Sequence, residues 1–244
     1  MASDVRIEAS PVGPVLYPPG HDETVVLYLP GNQDDGTDPA LDNAIRLAEL
    51  TRSVVVCCRY RSTFPAAQQD VHAAYRYCQT AGSVVVAGER MGAGLAAALL
   101  VQLRDSGTPL PQGAVLVSAL LDLTMQAKSL RLHAGGDSGV KITELRRRVA
   151  DYAGGALLTD PYLSPLYANL HGLTPVRLLV AGTDPLLDDS LAFAARAARS
   201  GVAVDLRVWP DASSLDAATA PAVADFIVGL GQAASGRASR MIAG

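Results

Sequence analysis

Short apolar runs alternate with helical patterns along this chain, and this alternation restricts the fold more than any other feature of the sequence. The runs are rich in Val, Leu and Ala, as buried strands are. Strands that alternate with helices form a mostly parallel sheet with helices on both faces. We therefore predict an α/β fold with strands at residues 24–29, 53–58, 83–87, 113–118, 176–181 and 202–209 and helices at 42–50, 66–78 and 189–200.

The length and the apolar content predict a single domain. The chain has 244 residues, of which 49% are hydrophobic, and this is enough for a full core. We place the domain at residues 1–230 and expect the small, polar segment 231–244 to be a flexible tail. Residues 120–155 interrupt the alternation with a loop at 133–139 and a helical pattern at 143–152. An insertion after a strand, above the carboxyl edge of the sheet, predicts a lid.

The composition argues against several classes of function. The net charge of -4 comes without a dense basic face, so nucleic acid is a poor partner. No apolar stretch reaches the roughly 18 residues of a membrane helix, and the N-terminus lacks a secretion signal, so we expect a cytoplasmic protein with no membrane partner. Cys57, Cys58 and Cys78 lack metal-ligand spacing, and no glycine-rich loop fits a phosphate or dinucleotide fingerprint. We expect buried thiols, no metal and no cofactor.

The turn at residues 88–92, Gly-Glu-Arg-Met-Gly, lies between a predicted strand and a helical run. Glycines at the two ends of such a turn are typical of the nucleophile elbow, in which a central serine stands over a helix N-terminus. The central residue here is Arg90. A guanidinium stays protonated and cannot attack a carbonyl, but it can hold a carboxylate, enolate or phenolate. The turn therefore predicts a site for an anionic or enolisable group, with Glu89 and Met91 beside Arg90.

The positions of the histidines also argue against a Ser-His-Asp mechanism. In α/β proteins with such an elbow, the general-base histidine follows the acid residue near the C-terminus. The histidines here are His21, His72, His133 and His171, and none lies late enough. Without a base, no hydroxyl is activated at neutral pH. We therefore expect an incomplete triad.

Further motifs make most of the chain resemble the hormone-sensitive-lipase branch of the α/β hydrolases. Residues 26–32 resemble that family's strand before its His-Gly-Gly-Gly loop, and residues 64–67 resemble its Phe-Pro-Ala-Ala helix entry. Residues 160–166 resemble its Asp-Pro-x-x-Ser-Pro block, and residues 182–188 resemble its acid-residue motif. Each motif alone is weak, but the shared order of all four is specific. The resemblance implies an α/β-hydrolase fold with a short lid insertion.

The chain departs from the family pattern at the residues that would do the chemistry. Pro30, Asn32 and Gln33 replace three positions of the loop whose N–H groups would form an oxyanion hole. The histidine position falls near Ser213 or Ser214, and of the triad only Asp184 persists. We assign catalytic roles to Arg90 and Asp184. The candidate substrate-binding residues are Asn32 and Gln33, whose amides could orient a carbonyl, together with Glu89, Met91, Ser214 and Tyr60.

Structural roles stay open for some of these residues. Arg90 could form an ion pair with Glu89 or Asp184 and fill the vacated space, since a buried guanidinium without an anion is costly. Asp184 could be the N-cap of the helix that follows it. Tyr60 lies just beyond a strand end, where a structural use is the commoner outcome.

The first hypothesis is a protein that binds a small organic molecule under the lid and promotes a non-hydrolytic step: a cyclisation, elimination or isomerisation. The high Ala, Gly and Val content suggests a GC-rich bacterial source, in which natural-product biosynthesis is a fitting setting. On this hypothesis nitrophenyl esters are not hydrolysed. The alternatives are a non-catalytic ligand-binding, sensor or partner protein, and a weak esterase that uses Ser213 or Ser214. The sequence leaves the oligomeric state open, a homodimer included.

Overall fold

The computed structural model of the protein describes residues 4–31, 39–133 and 141–242. Over these residues, strands and helices alternate along most of the chain. The strands are β1 (Arg6–Ser10), β2 (Gly13–Tyr17), β3 (Thr24–Leu29), β4 (Val54–Cys57), β5 (Ser83–Glu89), β6 (Gly113–Val117), β7 (Val176–Ala181) and β8 (Val204–Trp209). The helices are α1 (Pro39–Thr51), α2 (Ala66–Gln79), α3 (Met91–Asp105), α4 (Ser129–Leu132), α5 (Ile142–Ala153), α6 (Leu187–Arg199) and α7 (Ala212–Ile242). A 3-10 helix spans Pro165–Tyr167.

The strands of the described ranges form one sheet in the order β1-β2-β4-β3-β5-β6-β7-β8. β2 runs antiparallel to both of its neighbours, and every other pair is parallel. This confirms the predicted α/β fold with a mostly parallel sheet. The sequence prediction missed β1, an exposed edge strand without the continuous apolar run of a buried one, and β2, in which Gly13 and Pro14 leave an apolar run of only three residues.

Helices cover both faces of the sheet. On one face, α1 and α7 pack through apolar side chains such as Leu47 and Val223. On the other face, α2, α3 and α6 pack through Tyr75, Leu99 and Phe193. The central strands are therefore buried on both sides, which is why their sequences are near-continuous apolar runs rather than alternating patterns.

The segment predicted as a lid, residues 120–155, contains α4 and α5 among its described residues. The Tyr152 carbonyl accepts the Phe64 N–H at 2.8 Å, and the side chains of Val149 and Tyr152 are buried in the core. This part of the segment packs against the body of the domain, and its action as a lid stays a prediction. Farther along the chain, α7 continues to Ile242, so most of the predicted tail is helical.

The described residues show neither of the arrangements that a membrane-spanning helix or a three-ligand metal site requires. No helix in these ranges is both long and apolar enough to cross a membrane. No three His, Cys, Asp or Glu side chains of these ranges group as a metal site requires. The three cysteines are buried free thiols, as the sequence predicted.

Candidate active site

The turn between β5 and α3 has the strained backbone of a nucleophile elbow. Arg90, at its apex, has φ 51° and ψ -113°, outside the regions that non-glycine residues normally occupy. A Cβ on Gly88 would lie 2.5 Å from the Gly92 carbonyl oxygen. A Cβ on Gly92 would lie 2.1 Å from the Leu29 carbonyl oxygen. Close backbone approach therefore requires both glycines, in agreement with the sequence pattern.

The apex of the turn is tied to the neighbouring strand β6. The Arg90 N–H donates to the Val117 carbonyl at 2.9 Å, and the Arg90 carbonyl accepts the Leu120 N–H at 3.1 Å. The same carbonyl accepts the Gly94 N–H at 3.2 Å, which begins α3. These bonds hold Arg90 at the carboxyl edge of the sheet, at the N-terminus of a helix of 15 residues. The partial positive charge of that helix end adds to the charge of the guanidinium.

One donor of the Arg90 side chain has no acceptor in the part of the chain that the structure describes. Its Nη1 atom is buried and has no hydrogen-bond partner among these residues. The ion pairs found among the described residues do not include Arg90, so the structure shows neither of the ion pairs considered for it, with Glu89 or with Asp184. A buried cationic donor without an acceptor is costly, and a ligand oxygen at Nη1 would remove that cost.

Asp184 lies in the loop between β7 and α6 and is 3% exposed. Its Oδ2 accepts the Ser118 hydroxyl at 2.6 Å, and its Oδ1 accepts the Leu186 N–H at 2.8 Å. The second bond closes a turn ahead of α6, whose N-cap position is Leu186. The suggestion that Asp184 itself is the N-cap is therefore wrong, although its carboxylate does organise the start of the helix.

Ser118 is a residue of this site that the sequence analysis missed. It directly follows β6, is 4% exposed and has a positive φ of 46°. Because the Arg90 N–H bonds to the Val117 carbonyl, Ser118 lies one residue beyond the backbone contact with the apex of the turn. In the sequence it is the last residue of the apolar run 113–118, and nothing in that run separates it from other buried strand residues. Only the fold shows its contact with Asp184.

The residues on either side of the apex have internal contacts. The Glu89 Oε1 accepts the Tyr28 hydroxyl at 2.9 Å, and Tyr28 belongs to the core beneath α1 and α7. The pKa of Glu89 is raised on balance, because burial outweighs the Tyr28 hydrogen bond and the charge of Arg90, which both lower it. Met91 is partly buried and packs against the opposite core. Contact of either residue with a ligand stays a prediction.

A buried carboxylate anchors the segment that follows Ser118. Asp189, on α6, is 2% exposed, and its Oδ2 accepts the N–H groups of Leu121 at 2.9 Å and Asp122 at 3.0 Å. The pKa of Asp189 is raised to about 6, mainly by burial and to a smaller extent by the charges of Asp122 and Asp188. The two hydrogen bonds act in the opposite direction. The sequence analysis missed this residue, since an acid on an amphipathic helix is usually exposed to solvent.

Tyr60 is hydrogen-bonded to the start of the predicted oxyanion loop. Its hydroxyl donates to the Pro30 carbonyl, and its ring packs against the core. Asn32 and Gln33, the amides assigned to a carbonyl, lie outside the described residues. The position of Tyr60 is therefore established, while ligand contacts of these three residues stay predictions.

The segment in which the family's histidine would stand is the beginning of α7. Ser213 and Ser214 lie in its first turn, and Ser213 is exposed. The Ser214 N–H donates to Asp211 Oδ1 at 2.8 Å, which caps the helix. The two serines considered as nucleophiles thus lie on a regular helix end.

Comparison with known proteins places the chain in a family. Residues 36–213 match a family that is described as having the alpha/beta hydrolase fold. This chain belongs to the α/β-hydrolase-fold family. An acetyl-hydrolase from Streptomyces hygroscopicus is 33% identical to it over 206 residues, which are 80% of this chain and 69% of that protein.

Solved structures of similar proteins support the same assignment. A hormone-sensitive lipase from a metagenome library superposes with a TM-score of 0.86 at 28% identity, covering 94% of this chain and 87% of that one. A structure of EstE5 soaked with p-nitrophenyl butyrate superposes with a TM-score of 0.79 at 30% identity, covering 85% and 75%. These neighbours confirm the predicted hormone-sensitive-lipase branch as well as the fold.

The same relatives contradict the predicted chemistry. They are named as hydrolases and lipases, which points to ester hydrolysis. The hypothesis of a non-hydrolytic cyclisation, elimination or isomerisation is therefore wrong, as is the alternative of a non-catalytic sensor, and no finding supports a setting in natural-product biosynthesis. The error arises because one side chain, Arg90, does not define the reaction class when the elbow and Asp184 around it are retained.

Proposed function

We propose that this protein hydrolyses carboxylic esters with short acyl groups at the carboxyl edge of its sheet. Its similarity to an acetyl-hydrolase supports the reaction and the short acyl group. A structural neighbour was soaked with p-nitrophenyl butyrate, itself a short-chain ester. In open α/β sheets ligands bind outside the carboxyl ends of the strands, which is the edge where Arg90, Ser118 and Asp184 lie.

The observation that carries the proposal is the buried Nη1 of Arg90 at the apex of the elbow, which has no hydrogen-bond partner among the described residues. When an ester carbonyl is attacked, its oxygen gains negative charge. A fixed cationic donor stabilises that charge more than it stabilises the neutral ester, so it lowers the barrier. The N-terminus of α3 acts in the same direction. Arg90 is therefore assigned to the carbonyl oxygen and not to the attack on the carbonyl carbon.

Asp184 is assigned as the proton acceptor of the site. Its carboxylate is buried and already accepts a hydroxyl proton donor at 2.6 Å, so the path for a proton is in place. Asp184 is bonded to Ser118, and the residue before Ser118 accepts the Arg90 N–H, so Asp184 lies at the same edge of the sheet as Arg90. We also propose that the substrate contacts the remaining candidate residues, which are Asn32, Gln33, Tyr60, Glu89, Met91 and Ser214. A cytoplasmic location and a homodimer are proposals as well.

The test is hydrolysis of p-nitrophenyl butyrate by the wild-type protein and by variants of Arg90. We expect Arg90→Met to lower kcat by roughly 100- to 1,000-fold with little change in KM, the usual effect of losing one oxyanion donor. Arg90→Lys keeps the charge but not the forked geometry, so its kcat should lie between those of the wild type and of Arg90→Met. The control is Arg76→Met, which removes an exposed arginine from α2 and should leave the rate unchanged. A wild-type protein that hydrolyses neither the butyrate nor the acetate ester above the buffer rate would overturn the proposal.

A further inference from the structure

The residue at the apex of the elbow cannot be the nucleophile of an ester hydrolase. A guanidinium has no lone pair available for attack at physiological pH, because it stays protonated. We propose that Ser118 is the nucleophile and that Asp184 takes its proton. This assignment rests on the proposed esterase function and names the group that carries the acyl intermediate.

Ser118 is next to the apex of the elbow, one strand away. The register of β5 and β6 pairs Glu89 with Val117, and the Arg90 N–H bonds to the Val117 carbonyl at 2.9 Å. The next residue on each strand is therefore Arg90 on one side and Ser118 on the other. The backbone register thus places Ser118 beside the residue that is assigned to the carbonyl oxygen.

The backbone of Ser118 is strained. Its φ of 46° lies in the left-handed region, which residues other than glycine seldom occupy. Non-glycine residues persist in such conformations only where the surrounding structure holds them, and they cluster at functional sites. Arg90 at the elbow is strained in the same way. Two consecutive strands thus end in a strained residue at the same edge of the sheet.

The hydroxyl of Ser118 has the partner that a nucleophile requires. Its proton points to Asp184 Oδ2 at 2.6 Å, and both side chains are almost fully buried, so water does not compete for this bond. The other carboxylate oxygen is held by the Leu186 N–H, which fixes the orientation of the carboxylate. The hydroxyl proton and its acceptor are therefore already positioned for a transfer.

The other buried serines of the described residues have no such partner. The hydroxyls of Ser53, Ser129 and Ser164 donate to backbone carbonyls, which cannot take up a proton. The Ser190 hydroxyl is buried without a hydrogen-bond partner. Within this part of the chain, Ser118 is the buried serine that is bonded to a base.

The reaction balances with water as the only co-reactant. The Ser118 hydroxyl proton moves to Asp184 while Oγ attacks the carbonyl carbon, and Arg90 stabilises the resulting oxyanion. The carbon–oxygen bond to the alcohol breaks, and the alcohol takes the proton from Asp184. Water then attacks the acyl group and gives its proton to Asp184. The bond to Oγ breaks, Ser118 regains the proton, and the carboxylic acid leaves.

The experiment combines covalent labelling with turnover on the full chain. The wild-type protein is treated with a fluorophosphonate probe, and the labelled peptide is identified by mass spectrometry. We expect one adduct, on Ser118. Labelling also tests access, because the probe reacts only if it reaches the hydroxyl. In parallel, Ser118→Ala should lower kcat/KM for p-nitrophenyl butyrate on the order of 1,000-fold, since Arg90 alone leaves some residual catalysis.

Ser53→Ala is the matched control. Ser53 is a fully buried serine at the opposite edge of the sheet, ahead of β4, and its removal should change neither labelling nor rate. Thermal melting of both variants checks folding, and the wild-type label decides the assignment if Ser118→Ala fails to fold.

The outcomes separate this inference from the proposed function. Turnover together with a label on another residue, or with a folded Ser118→Ala variant as fast as the wild type, overturns the role of Ser118 and leaves the esterase function standing. A label on Ser118 without turnover of any short-chain ester supports the nucleophile and overturns the esterase function. The absence of both label and turnover overturns both.

Discussion

Asp189 makes the stability of this protein depend on pH in a predictable direction. The carboxyl group is 2% exposed, and burial raises its pKa from an ordinary value of 3.8 to about 6. Between these two values the unfolded chain ionises the group while the folded protein keeps it protonated. The folded state then binds more protons, so the free energy of unfolding falls as the pH rises from about 4 to about 6 and is level above. The difference of about two pKa units corresponds to about 3 kcal/mol.

The assay is chemical denaturation of the wild type and of Asp189→Asn between pH 4 and pH 7. The amide cannot ionise but can still accept the N–H groups of Leu121 and Asp122. As the pH rises over this range, we therefore expect the free energy of unfolding of the variant to increase by about 3 kcal/mol relative to that of the wild type, mostly between pH 4 and pH 6. Asp151→Asn, which changes an exposed carboxylate, should follow the wild type. A constant difference between Asp189→Asn and the wild type across the range would refute the argument.

Two further predictions concern the elbow and the thiols. Gly92→Ala should prevent folding or destabilise the protein severely, because its Cβ would lie 2.1 Å from a carbonyl oxygen of β3. The control, Gly229→Ala on an open face of α7, should raise the free energy of unfolding by up to about 1 kcal/mol. Equal melting temperatures for the two variants would contradict this prediction. Burial raises the pKa of Cys78 to about 12 and also raises that of Cys58, so neither thiol, nor the buried Cys57, should react with Ellman's reagent in the native protein at pH 8. Rapid reaction before denaturant is added would show that these thiols are accessible.

The sheet could be predicted because burial on both faces leaves a continuous apolar run in the sequence. The runs at 24–29 and 176–181 coincide with β3 and β7. The helical pattern at 143–152 likewise became α5, at Ile142–Ala153. β1 could not be found in this way, because an edge strand that is exposed to solvent has no such run, and Gly13 and Pro14 shorten the run in β2 to three residues.

Only the part of the candidate site that is formed by neighbouring residues could be predicted from the sequence. The elbow is a local structure, and its glycines and Arg90 can be identified from five consecutive residues. The loop residues Asn32 and Gln33 were assigned from a family pattern, and their contacts stay open. The reaction class, in contrast, could not be inferred from the apex residue alone, and comparison with hydrolases of the same fold corrected it.

The sequence by itself determined the α/β fold and the strained turn that carries Arg90, because periodicity and close backbone approach act between residues that are near in the chain. Tertiary structure alone decided the partners of the two buried carboxylates. Ser118 and Asp184 are 66 residues apart, and Leu121 and Asp189 are 68 apart. No spacing or period links such pairs in the sequence. They meet because parallel strands end at one edge of a sheet, so that residues far apart in the chain come within hydrogen-bond distance.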